Sequence, residues 1–122
     1  MGLQISTRES GDVTILDLHG RVTIGADSEL LRNRLKELVT HGFRKLLLNL
    51  ADVNQVDSHG LSVIVETSAS LQDQGGSLKF LRPSGRVLAV LQVTHVLEII
   101  PSFDDETQAR ASFQARGYSA TS

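Results

Sequence analysis

Apolar positions recur along this chain in two rhythms, one strand-like and one helical. The densest apolar run lies between Arg44 and Leu50, where Leu46, Leu47 and Leu48 are followed by Leu50. It is too short for a helix and has polar flanks, which predicts a strand buried on both faces, as in parallel sheets. Before it, Leu31, Leu35, Leu38 and Val39 recur at helical spacing, and Leu30 widens the stripe. Asp27 is the expected cap of that helix, Glu29 suits its first turn, and Gly42 marks its end. After the run, Leu61, Ile64, Val65, Ser68 and Leu71 trace a second amphipathic helix that stops at Gly75-Gly76.

The two ends of the chain obey the same rules. Leu3-Gln4-Ile5 and Val13 through Leu18 predict two strands joined at Glu9-Ser10-Gly11-Asp12, an antiparallel hairpin. Gly20 through Gly25 reads as a connector. Leu78 to Leu81 predicts a strand stopped by Pro83, and Ser84 caps a third helix with Val87, Leu88 and Leu91 inward. Leu97 to Ile100 predicts a last strand closed by Pro101. Asp105 and Gln108 resemble a capping box before a C-terminal helix whose inner face carries Ala109 and Phe113. The order β-β-α-β-α-β-α-β-α implies a single α/β domain with a mixed, mostly parallel sheet and right-handed crossovers. One domain is expected over residues 1–122, with its core at about 3–116 and a frayed tail from Gly117 to Ser122.

Composition narrows the function classes. The chain has 122 residues, 40% hydrophobic and 21% charged, which suits an ordinary packed core and argues against disorder. Net charge is -2 and no basic block occurs, so direct nucleic-acid binding is not expected. The absence of cysteine removes disulfides, a cysteine-based zinc site and a cysteine nucleophile, and fits a reducing compartment. No apolar run approaches the roughly 20 residues of a membrane span, and Met1 to Ser6 lacks the pattern of a secretory signal. The cytoplasm is the expected location, with no membrane partner.

Chemistry is expected at one place. Sites in open α/β sheets lie where the chain leaves the carboxyl end of a strand and enters a helix. Here that point is Asp57-Ser58. The ordinary reading of Ser58 is a helix cap. If Asp57 takes the cap instead, Ser58 occupies the first helical position with its hydroxyl outward. Phosphorylation would then add a charge of about -1.5 to -2 at a partner-facing surface without disturbing the fold. A serine hydrolase is disfavoured, because Ser58 has Gly60 after it but Val56, not glycine, two residues before. His19, His41, His59 and His95 supply neither a base placed for Ser58 nor a metal-ligand spacing, and His41 is better read as a partner of a helix dipole. Phosphate-loop and dinucleotide glycine patterns are absent. A receiver domain would need an acidic pair after its first parallel strand, where Leu18 is followed by His19-Gly20-Arg21. No catalytic residue, metal or cofactor is expected.

Leu48-Asn49-Leu50, Val53 and Val56-Asp57-Ser58-His59-Gly60-Leu61 resemble the strand, loop and Asp-Ser-Ser-Gly-Leu helix start of STAS domains, specifically bacterial anti-sigma factor antagonists. Leu18-His19-Gly20-Arg21-Val22 resembles that family's second-strand exit, and Gly75-Gly76 with Leu78 its next turn. The resemblance runs from Ile5 to about Phe113. It implies partner switching: an unphosphorylated antagonist binds an anti-sigma factor that is also a serine kinase and so frees a sigma factor. Phosphorylation at the position of Ser58 reverses this, and a PP2C-type phosphatase resets it. The antagonist is the substrate, and ATP belongs to the kinase. Asp57, Ser58, His59, Gly60 and Thr23 are the implied partner-binding residues. His59 departs from the family by replacing a second serine or other small residue, and Thr23 by standing where many members are acidic. The alternative is a constant structural STAS subunit of a stressosome-like or lipid-transport assembly, with no phosphorylation. The exposed edge of the first strand leaves room for a homodimer.

Overall fold

A computed structural model describes the backbone of residues 2–119 and the side chains of residues 2–114. Strand β1 (Gln4–Ser10) and strand β2 (Val13–Val22) form the expected hairpin about a two-residue turn. There follow α1 (Ala26–Thr40), β3 (Lys45–Val56), α2 (Ser58–Asp73), β4 (Ser77–Leu81), α3 (Gly85–Val93), β5 (Ser102–Phe103) and α4 (Glu106–Ser119). The sheet order is β1-β2-β3-β4-β5, antiparallel at the hairpin and parallel elsewhere.

This topology decides which face each helix covers. Each parallel strand is added on the same side of its predecessor, so crossovers of one hand place α1, α2 and α3 on one face. Leu16 and Leu18 of β2, Leu46, Leu48 and Leu50 of β3, and Leu78 and Phe80 of β4 turn to that face. There they pack with Leu31 and Leu35 of α1, Leu61, Val63, Ile64 and Leu71 of α2, and Val87 and Leu91 of α3. The alternate positions, Val13, Ile15, Leu47 and Leu81, meet Ala109 and Phe113 of α4 on the other face. Buried Lys79 shares this second face, with its ammonium 4.5 Å from the Phe113 ring centre and bonded to the Ser112 hydroxyl at 2.8 Å. The start of α4 is held to the hairpin through Arg8, which bonds Asp17 at 2.7 Å and Glu106 at 2.8 Å. Burial pushes the Asp17 carboxyl up, but Arg8 and Asn49 outweigh it and hold it below the ordinary value.

Three expectations are corrected. Gly20 to Val22 is not connector but the end of β2, paired with β3 through register shifts, and β3 itself runs on to Val56. Gly20 carries this course, with φ at +110° and a Cβ position only 2.3 Å from the Gly2 carbonyl oxygen. Second, α1 is capped at Gly25, not Asp27. The Asp27 carboxylate instead accepts the Leu3 N–H and the Thr23 hydroxyl, both at 3.1 Å. Third, the last strand lies after Pro101 rather than before it. Val96 to Glu98 forms a 3-10 turn, and Val96 and Ile100, four apart, are buried on one side as a helical turn requires. Pro101 leads into β5, its carbonyl accepting the Phe80 N–H at 2.9 Å. Of the expected tail, Gly117 to Ser119 are assigned to α4 and residues 120–122 lie outside the described residues.

The second face depends on one aromatic anchor. Phe113→Ala is expected to cost about 3–5 kcal/mol in urea unfolding, whereas Ala111→Ser, on the exposed side of α4, should stay within about 0.5 kcal/mol of the parent.

Candidate functional site at the start of the second helix

β2 and β3 reach past their neighbours as a two-stranded ribbon, because β1 pairs with β2 only as far as His19 and β4 with β3 only as far as Asn49. The ribbon ends at Val22 and Val56, which are buried and paired. The chain then turns at Asp57 into α2. Asp57 has extended backbone at the N-cap, and its Oδ1 accepts the N–H groups of His59 at 3.1 Å and Gly60 at 3.0 Å. The capping role therefore falls to Asp57, not Ser58. Ser58 takes the first helical position, exposed, and among the described residues its hydroxyl has no hydrogen-bond partner.

The other carboxylate oxygen of Asp57 reaches across to the β2–α1 loop. Oδ2 accepts the Ile24 N–H at 2.8 Å, and the Asp57 N–H donates to the Val22 carbonyl at 3.2 Å. Burial pushes the Asp57 carboxyl up, but the Gly60, Ile24 and His59 N–H groups, with the nearby His59 ring, outweigh it and lower its pKa. Gly60 is buried where α2 meets the end of β2, and a Cβ there would lie 2.3 Å from the Val22 carbonyl oxygen. Close approach of helix to strand requires glycine.

The expected partner-facing residues are thus brought together unequally. Asp57, Ser58 and His59 form a continuous stretch of surface, with Ser58 and His59 exposed. Gly60 lies beneath it, in the packing against Val22. Thr23 joins from the loop, half-buried, with its hydroxyl spent on Asp27. On the other side Ser58 opens into a groove of about 360 Å³, lined by Ser62, Val65 and Glu66 of α2 and by Thr94 and Val96 beyond α3. Sequence reading missed this groove and the Ile24 bond. The available signal was Ile24 itself, a lone aliphatic between Thr23 and Gly25.

The other three histidines are occupied elsewhere. His19 pairs with Asp52 at 3.1 Å, His95 with Glu98 at 2.9 Å, and the His41 Nδ1 meets the Glu37 carbonyl oxygen at 2.7 Å, at the C-cap of α1. That last contact fits the expected dipole partner. Among the described residues no group of three His, Cys, Asp or Glu could hold a metal ion, and no helix is long and apolar enough to cross a membrane.

A model of the STAS domain matches residues 4–109 of this chain. The chain belongs to the STAS family. Its relatives include a Thermotoga neapolitana protein whose name places it among anti-sigma factor antagonists, 35% identical over 80 residues that cover 66% of this chain and 71% of that one. The anti-sigma-B factor antagonist of Bacillus subtilis is 29% identical over 100 residues, 82% of this STAS chain and 90% of its own. A Thermotoga maritima crystal structure, described as that of an anti-sigma factor antagonist, superposes with a TM-score of 0.84 at 27% identity, covering 90% of this chain and 94% of the other. The fold and the family agree with the expectation drawn from the Asp57–Leu61 motif.

Two substitutions probe the STAS helix start. Gly60→Ala is expected to cost about 1–3 kcal/mol in urea unfolding, since the new methyl meets the Val22 backbone, which cannot move aside, as well as the Val22 side chain. Asp57→Ala should cost about 0.5–2 kcal/mol at neutral pH. Because the folded carboxyl titrates below its ordinary value, its stabilisation is complete above the unfolded pKa of about 3.9 and disappears as pH falls through the lower folded value. The stability gap between the parent and Asp57→Ala should therefore narrow below about pH 4.

Proposed function

We propose that this STAS domain is an anti-sigma factor antagonist that works by partner switching through Ser58. Unmodified, the surface carrying Asp57, Ser58, His59 and Thr23 binds an anti-sigma factor that is also a serine kinase, and the sigma factor is released. The kinase moves the γ-phosphoryl group of ATP onto the Ser58 hydroxyl oxygen, with loss of the hydroxyl proton and release of ADP. The complex then separates, and a PP2C-type phosphatase hydrolyses the phosphoserine and restores the binding form. In this reading the chain is substrate and binding module, catalysis and ATP belong to the kinase, and the cycle runs in the cytoplasm.

The observation that carries this reading is the division of labour between neighbours. Asp57 caps α2, so the Ser58 hydroxyl is exposed and uncommitted at the end of the domain where strand gives way to helix. The names of the Thermotoga neapolitana and Bacillus subtilis relatives support the same role. The physics of the switch is sufficient. A docked partner must strip water from the Ser58 surface, and burying an unpaired phosphate costs several kcal/mol. Each 1.4 kcal/mol lost is already tenfold in affinity.

The test is intact-mass spectrometry with fragment mapping, after incubation with ATP and each serine-kinase anti-sigma factor of the source organism. One phosphate on Ser58 is expected, with Ser58→Ala retaining the complex and Ser58→Asp losing it. Equal binding by both variants, with no phosphate transferred, would overturn the proposal in favour of a constant structural subunit.

A further inference from the structure

We infer that Ile24 is the apolar anchor of the docking face, held in place for the anti-sigma factor by the carboxylate of Asp57. This rests on reading the Ser58 surface as that face. Lone exposed aliphatics are ordinary on protein surfaces and by themselves mean nothing. Ile24 differs in how it is held. Its side chain is 62% exposed, yet its backbone is fixed on both sides. Its own N–H donates to Asp57 at 2.8 Å, and on the other side the Gly25 carbonyl accepts the Glu29 N–H at 3.1 Å. The Thr23 carbonyl in turn accepts the Ser28 N–H at 3.0 Å. The loop is therefore tied down at several points, and what it presents to water is a branched aliphatic that contributes little to the core. An anchor that loses no conformational freedom on docking binds more tightly than a mobile one.

Its position gives the anchor a regulatory meaning. The Asp57 that holds Ile24 is the residue before Ser58, so anchor and acceptor hydroxyl share one patch. On the far side, the groove beside Ser58 is bordered by Thr94, next to Val93, which is 77% exposed. The matching partner surface is an apolar pocket on the anti-sigma factor that closes over Ile24 and excludes water. A phosphate at Ser58 would fall inside that dried patch. The apolar anchor accounts for why the complex tolerates a serine there and rejects a phosphoserine.

Isothermal titration of the full chain against the serine-kinase anti-sigma factor that forms the complex tests this. Ile24→Ala should raise Kd at least tenfold while leaving the urea midpoint unchanged. Leu30→Ala, an exposed aliphatic on α1, should change Kd less than twofold. Asp57→Asn keeps a capping oxygen for α2 but loses the second carboxylate oxygen that holds Ile24. It should also weaken binding, and the double variant Ile24→Ala with Asp57→Asn should be no weaker than the worse single one. Binding unaffected by Ile24→Ala but abolished by Ser58→Asp would overturn the anchor and leave the switch standing. Fully additive losses, or an equal loss from Leu30→Ala, would also overturn it. If no serine-kinase anti-sigma factor binds the parent chain, both readings fall together.

Discussion

Three backbone N–H groups converge on one carboxylate, that of Asp57, and they come from two parts of the chain. Two belong to the first turn of α2, and the third, from Ile24, is 33 residues away. A helix begins with orphan donors that need acceptors, and a single-oxygen cap would have met the local need. The second oxygen does something a serine hydroxyl at this place could not. It fastens the β2–α1 loop to the helix start and so builds a surface from segments that the sheet alone would leave only adjacent. Gly60 allows that closeness, because the helix could not otherwise come so near the end of β2.

The sheet separates stability from recognition. Leucines of β2, β3 and β4 face three helices, and the alternate residues face α4, so β3 is enclosed on both sides over Leu46 to Leu48. The site lies beyond this enclosure, at the end of a ribbon that only β2 and β3 form. Substitutions at Ile24, Ser58 or His59 therefore act on exposed groups and leave the core intact. The exception is Gly60, which belongs to the surface motif by sequence and to the packing by position.

How much of this was legible from the residues follows from the range of the forces involved. The leucine run of β3, the stripe of α2 and the polar break at Asp57 are local patterns, and they were enough to place the strand-to-helix turn. The continuation of β3 was not legible. Within residues 51–56 only Val53 and Val56 are buried, a spacing of three produced by register shifts against β2 and unlike a strand's period of two. The run Leu97 to Ile100 misleads for the opposite reason: its dense apolar pattern suggests a strand, while Val96 and Ile100 are spaced for a helical turn. Asp27 was misjudged as a cap because its real partners, Leu3 and Thr23, come together only in the folded molecule. Ile24 is the same case, as no local pattern reveals a bond to a carboxylate in another element.

One further consequence concerns what the helix end has left to give. Anions commonly settle at a helix N-terminus because free N–H groups await them there. In this chain the Asp57 carboxylate already occupies those of His59 and Gly60. A phosphate on the Ser58 oxygen would arrive beside a carboxylate that already holds these two donors, with a negative neighbour. It would gain little from the domain that carries it and would keep its shell of water. Under the proposed switch it would stand out in solution, as open to a phosphatase as to a kinase.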